Sequence, residues 1–101
     1  MILYNVTISI ENACHDEWLN WMRNRHVPDI MATGFFVKKA ILRLLNEEDN
    51  GNVTYAFQYY LRNLTDLEDY QNTYETILWA EYQQRYRDRY VSFRTVLEVL
   101  E

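Results

Sequence analysis

His26 is well suited to chemistry, because an imidazole changes its charge near neutral pH. It follows Trp18 and Met22 at intervals of four residues and precedes Pro28 by two positions. In this position it could act as a general base or as a hydrogen-bond donor to a ligand. The alternative is a histidine at the end of a helix that interacts with the last carbonyl groups and the helix dipole. The sequence leaves both interpretations open.

A second group of candidate residues comes from strand-like segments. The alternation of these segments predicts that Asn5, Arg43, Tyr60 and Arg94 share one face of a sheet. Arginine binds carboxylates and phosphates through paired hydrogen bonds, so this face is a candidate binding surface for an anionic or aromatic small molecule. The alternative is a set of solvated strand charges that pair with nearby acidic residues.

Other kinds of site lack a matching motif. The histidine and acidic residues between positions 15 and 29 do not have the spacing of a known metal site, and we expect neither a metal nor a cofactor. Cys14 has no evident basic activator and no second cysteine for an internal disulfide. The sequence contains no glycine-rich phosphate loop and no Gly-x-Ser-x-Gly motif. Whether the protein is an enzyme therefore stays open.

Composition favours a compact cytoplasmic protein. The 101 residues, of which 49% are hydrophobic and 25% charged, fit one domain over residues 1–101. A net charge of −5 argues against a nucleic-acid partner, because such binding depends on neutralising phosphates. The first residues resemble a strand rather than a signal peptide, and no apolar run reaches the roughly 20 residues of a membrane helix. We therefore expect no membrane association.

Hydrophobic spacing predicts the elements of the first third of the chain. Residues 2–10 alternate between apolar and polar side chains, which indicates a strand with one buried face. Residues 14–26 change to helical spacing. Pro28 then either ends or kinks this helix, or opens one further turn that ends at Gly34.

The rest of the chain supplies three more strands and one more helix. The strands are predicted over residues 35–45, 53–62 and 91–100. The helix is predicted from a capping box at Thr65-Asp66-Leu67-Glu68 to about residue 88, with a break near residues 78–80 as an alternative. This order is that of the ferredoxin-like βαββαβ fold of the α+β class, a four-stranded antiparallel sheet with two helices on one face.

The assignment of side chains to the two sheet faces depends on one turn. Asn50-Gly51 predicts a type I′ hairpin, which pairs Asp49 with Asn52 and Leu44 with Phe57. The face covered by the helices is then predicted to hold Tyr4, Val6, Ile8, Leu42, Leu44, Phe57, Tyr59, Phe93 and Leu97. The other face, here called the open sheet face, is predicted to be mixed and basic. Because such faces pack together in many proteins of this fold, we expect a homodimer.

Several segments together resemble a small uncharacterised bacterial family, a domain of unknown function. They are Met1–Thr7, Trp18–Met22, His26–Pro28, Met31–Gly34, Arg43–Gly51, Thr54-Tyr55, Gln58-Tyr59, Arg85-Tyr86, Asp88-Arg89 and Phe93–Thr95. This resemblance covers nearly the whole chain and implies no particular activity or catalytic residue. His26-x-Pro28 followed by Gly34-Phe35 is also similar to dimeric α/β-barrel proteins, a superfamily that includes small monooxygenases, haem-degrading enzymes and isomerases. The second resemblance implies a dimeric barrel rather than a reaction.

Two functional hypotheses follow. The first is a homodimeric small-molecule-binding domain with the ligand between two open sheet faces. In it His26 acts as a base or an orienting donor, and Asn5, Arg43, Tyr60 and Arg94 contact the ligand. The second is a non-enzymatic interaction or regulatory module, in which the aromatic helices serve only as core and dimer surface.

Overall fold

The computed structural model describes residues 1–46 and 50–101. Its strands are β1 (Ile2–Glu11), β2 (Lys38–Arg43), β3 (Asn52–Leu61) and β4 (Tyr90–Glu98). They form one antiparallel sheet in the order β2-β3-β1-β4. One helical segment lies between β1 and β2 and a second between β3 and β4, as predicted, so the ferredoxin-like βαββαβ order is confirmed.

Each helical segment contains a π-helical turn. The first segment comprises a 3₁₀ turn (Asn12–Cys14), α1 (His15–Trp21), the first π-helical turn (Met22–His26) and α2 (Val27–Met31). The second comprises α3 (Leu64–Tyr70), the second π-helical turn (Gln71–Glu75) and α4 (Thr76–Tyr86). A π-helical turn inserts one residue into the α-helical repeat, and such turns occur frequently at functional sites.

The first helical segment continues through the only proline. Pro28 lies in the first turn of α2, where a missing N–H is tolerated. α2 ends at Met31, and the turn that follows it ends at Gly34, whose φ of +85° favours glycine. The predicted further turn up to Gly34 is therefore confirmed, and it directly follows the irregular turn that ends at His26.

The second helical segment begins at a residue that the sequence did not predict, and its π-helical turn also lies outside the predicted position. Asn63 is its N-cap, and the Asn63 side chain accepts a hydrogen bond of 2.8 Å from the backbone N–H of Asp66. The predicted capping box at Thr65 is therefore wrong, because Asn63 already satisfies the orphan donor. The irregularity lies at Gln71–Glu75 rather than near residues 78–80.

The pairing of β2 with β3 differs from the predicted register. Ile41 lies opposite Phe57, where the hairpin prediction placed Leu44. The observed register differs from the predicted one by three residues, an odd number, so every side chain of β2 lies on the face opposite to the predicted one. Leu42 consequently lies on the open sheet face and is 47% exposed, and the same change of face places Arg43 on the helix-covered side. The register differs because the connection between β2 and β3 is longer than the two-residue turn of the prediction. Asp49, which the prediction paired with Asn52, lies outside the described residues.

The faces of β4 are also reversed relative to the prediction. Arg94 lies opposite Val6 and therefore faces the helices, whereas Phe93 lies opposite Thr7 on the open sheet face. Leu97 shares the face of Phe93. The prediction was wrong because β4 carries apolar residues on both faces, so that alternation alone does not choose between them. Arg94 has an acidic partner on the second helical segment, Glu75, and this ion pair favours the observed choice.

The core lies between the sheet and the helices. From β1 and β3 it takes Tyr4, Val6, Ile8, Phe57 and Tyr59, all buried as predicted. Trp18 and Tyr82 join the two helical segments through a 2.9 Å hydrogen bond from the indole Nε1 to the tyrosine hydroxyl. Within the described residues, no helix has the length and apolar character needed to span a bilayer.

Candidate functional site

A cavity lies between the helix-covered face of the sheet and the two helical segments. Its lining consists of Tyr4, Val6, Ile8, Met22, His26, Ile30, Phe36, Phe57, Tyr59, Tyr70, Glu75, Leu78, Trp79 and Arg94. Among these side chains, ≈ 20 Å³ is available to the centres of water molecules. The cavity therefore has room for about one water. The partly exposed Glu75 and Arg94 lie where it meets solvent.

His26 is the buried polar group on the first helical segment. It closes the first π-helical turn and is only 5% exposed. Its ring stacks on Trp21, with centroids 5.2 Å apart, and lies 5.5 Å from the ring of Tyr82. Within the described parts of the chain its ring nitrogens make no hydrogen bond, yet neither is fully enclosed. An imidazole with an unused donor and an unused acceptor therefore borders the cavity.

Burial determines the charge of His26. Its pKa is lowered from 6.5 to about 4, mainly by desolvation; the charge of Asp29 opposes this change and the charge of Arg94 contributes to it. The imidazole is consequently neutral at pH 7. It can donate one hydrogen bond and accept another, but it adds no positive charge to the cavity.

Three further polar side chains, from three elements, meet in the cavity lining. Glu75, the last residue of the second π-helical turn, accepts a hydrogen bond from the Tyr4 hydroxyl through its Oε1. The same oxygen lies 3.3 Å from Nε of Arg94. Burial raises the pKa of Tyr4, and its hydrogen bond to Glu75 and the charge of that carboxylate raise it further. Tyr4 therefore remains a donor at neutral pH.

Trp79 connects His26 with the Glu75–Arg94 ion pair. The guanidinium carbon of Arg94 lies 4.2 Å from the centre of the Trp79 ring, a distance typical of a cation–π contact. The centre of the His26 ring lies 6.3 Å from the same tryptophan. The cavity thus combines a neutral imidazole, a paired cation and anion, and an aromatic wall.

The structure brings together two of the predicted site residues. His26 and Arg94 both line the cavity. The prediction that Arg94 lies on the open sheet face is wrong, as the pairing of β4 with β1 shows. Arg43 was likewise assigned to that face, but it lies opposite Tyr55 on the side of the helices, at the exposed end of β2.

Asn5 and Tyr60 lie on the open sheet face, away from the cavity. Asn5 donates a 2.9 Å hydrogen bond to the hydroxyl of Thr7. The ammonium group of Lys38 lies 4.4 Å from the centre of the Tyr60 ring. Both side chains thus have partners within the chain, and their predicted contact with a ligand stays a prediction.

Glu75 was missed by the sequence reasoning, although it carried a signal. It precedes Trp79 by four residues and Tyr82 by seven, which places a carboxylate on the apolar stripe of a helix. A charged residue in such a position needs a partner, and the partner comes from the strand that the prediction had reversed. Among the described residues there is no group of three or more histidine, cysteine or acidic side chains that could hold a metal ion.

Comparison with known families and sequences gives one match over the length of the chain. The family described as "Domain of unknown function (DUF4286)" matches residues 1–100. No curated protein matches the sequence significantly.

Solved structures share the fold at low sequence identity. A dimeric ferredoxin-like protein from an uncultured marine organism superposes with a TM-score of 0.73 at 8% identity, covering 100% of this chain and 96% of that one. HapK from Hahella chejuensis gives 0.72 at 15% identity, with 99% and 93% covered. An antibiotic biosynthesis monooxygenase gives 0.65 at 14% identity, with 100% of both chains covered. At these identities the likeness establishes the ferredoxin-like fold.

Proposed function

Since this chain belongs to the DUF4286 family, whose description names no activity, we propose its function from the cavity: it is a homodimeric domain that binds a small aromatic molecule between helices and sheet. The observation that carries the proposal is the buried His26, which has unused hydrogen-bonding capacity beside Arg94, Glu75 and Trp79. A neutral imidazole whose accessible nitrogens border a mostly apolar cavity is a candidate ligand contact.

The position of the two π-helical turns supports the same site. One turn ends at His26 and the other ends at Glu75, and both residues line the cavity. Because ≈ 20 Å³ accommodates about one water, an aromatic ligand must displace lining side chains as it enters. Leu78 and Trp79 are partly exposed and lie next to the second π-helical turn, so we place the entrance there.

Dimerisation is proposed through the open sheet face. Leu42, Leu44, Phe93 and Leu97 are between 45% and 59% exposed on this face of a single chain. Exposed apolar surface of this kind is typical of protein–protein interfaces. Two similar solved structures are of proteins described as dimeric ferredoxin-like. Pairing through this surface would leave the cavity of each protomer facing away from the partner.

Chemical-shift perturbation by phenol and by benzoate tests the binding site. We expect at least one of these probes to shift the backbone amides of residues 22–26 and 71–75. His26→Phe should reduce that perturbation, because it fills the site and removes both hydrogen-bonding nitrogens. Arg43→Gln is the matched control and should leave the perturbation unchanged.

Two results would contradict the cavity as the site. Perturbations confined to the open sheet face, around Asn5 and Tyr60, would return the site to the surface between two sheets. The absence of any perturbation at high probe concentration would favour the interaction module.

A further inference from the structure

We infer that the preferred ligand is an uncharged aromatic hydroxyl compound, a phenol or hydroxyarene, rather than a carboxylate. This inference rests on the proposed function of the cavity and specifies its substrate class. It derives from the balance of charges and hydrogen-bonding groups in the lining.

The cation in the lining already has an anion. Glu75 Oε1 lies 3.3 Å from Arg94 Nε, and the hydroxyl of Tyr4 donates to that same oxygen. The Glu75–Arg94 pair is largely shielded, with side chains 22% and 30% exposed. A ligand carboxylate would have to displace Glu75 from Arg94 or share the guanidinium with it, which would place two anions beside one cation. Either outcome is unfavourable in an apolar site.

His26 offers no second cation. Desolvation holds its pKa at about 4, so its ring is neutral at pH 7. A neutral imidazole has one N–H donor and one acceptor nitrogen. A phenolic hydroxyl can likewise donate one hydrogen bond and accept another, whereas a carboxylate only accepts. The hydroxyl therefore matches either ring nitrogen without adding charge.

The remaining lining suits an aromatic ring. Apart from the polar groups, it consists of aliphatic and aromatic side chains from both layers, including Val6, Ile30, Phe36 and Phe57. Burying the apolar area of a ligand against such a surface is favourable and does not require a charge on the ligand. The carboxylate of Glu75 would also repel a second carboxylate in the same cavity.

Phenol and benzoate are matched probes, since they share a ring and differ in the polar group. Isothermal titration or chemical-shift titration at pH 7 should show that the wild-type protein binds phenol about tenfold or more tightly than benzoate. Glu75→Gln keeps the size of the side chain and leaves Arg94 without its anion. This variant should bind benzoate about tenfold more tightly than wild type does, and it should lose preference for phenol.

Glu81→Gln is the control for the change of charge. Glu81 belongs to the same helical segment as Glu75, but its partner is Arg25 at 3.3 Å, outside the cavity lining. Both affinities should match those of the wild type.

The outcomes separate this inference from the proposed function. Benzoate binding to the wild type as tightly as phenol would overturn the inference and leave the binding cavity in place. If neither probe binds, both fail. A folded Glu75→Gln variant without a gain in benzoate affinity would also overturn the inference.

A spectroscopic measurement on the wild type keeps the test independent of the folding of that variant. The absorption of 4-nitrophenol differs between its neutral and ionised forms. We expect the bound probe to show the neutral spectrum at a pH where the free probe is partly ionised. A spectrum of the ionised form in the complex would refute the inference.

Discussion

Replacing His26 by glutamine should remove part of the acid sensitivity of the fold. The native state holds the imidazole neutral down to a pKa of about 4, whereas the unfolded chain takes up a proton near 6.5. As pH falls below 6.5, the unfolded state gains protons that the native state does not bind, so stability decreases. The gap between the two values corresponds to about 3 kcal/mol when fully expressed, and to about 2 kcal/mol at pH 5.

The loss should therefore begin near pH 6.5 and level off below the folded-state pKa of about 4. We expect the free energy of unfolding of the wild type to fall by about 2 kcal/mol more between pH 7.5 and pH 5 than that of His26→Gln. Urea denaturation followed by circular dichroism at fixed protein concentration measures this difference. The absolute stability of the variant at pH 7.5 does not enter the comparison.

His15→Gln is the matched control because it removes the other histidine of the chain. His15 contacts the Tyr55 hydroxyl at 2.7 Å and lies outside the cavity lining. This variant should retain the additional acid-induced loss, since His26 is unchanged. Equal pH dependence of His26→Gln and wild type would refute the burial argument and show that the imidazole is solvated.

Three further results are expected. Trp18→Phe and Tyr82→Phe should each lower the free energy of unfolding by about 1–3 kcal/mol, because each leaves the polar group of the other residue buried and unpaired. Denaturation of the double variant should show a loss smaller than the sum of the two single losses. Phe93→Asp should convert the dimer to a monomer, as measured by light scattering. Ile77→Asp is the control at a helix position that is 70% exposed, and it should leave the dimer intact. A monomeric wild type would contradict the dimer proposal. Gly34→Ala should lower the free energy of unfolding by about 1–2 kcal/mol, because alanine is strained at a φ of +85°. A clash does not contribute, since outside the neighbouring residues no atom lies within 4 Å of the added methyl group. An unchanged melting profile would contradict this reasoning.

The candidate site could be predicted only in pieces. His26 was identifiable because a single ionisable ring continued an apolar helical stripe. Arg94 was recognised as a ligand candidate, but on the wrong face of the sheet. Glu75 was not recognised, because its importance depends on Tyr4 and Arg94, which are distant in sequence and adjacent only in the folded chain. The two π-helical turns have no sequence signature comparable to a cap or a hairpin turn.

The sequence by itself determined the order of elements and the faces of β1 and β3. Local spacing was sufficient there, since Tyr4, Val6 and Ile8 alternate with polar residues and admit one buried face. Only the tertiary structure decided the faces of β2 and β4. Each of these strands carries apolar side chains on both faces, so the choice depends on long-range pairing. The longer connection sets the register of β2, and the Glu75 carboxylate compensates the charge of Arg94. That choice moves the candidate chemistry from the open sheet face into the cavity beneath the helices.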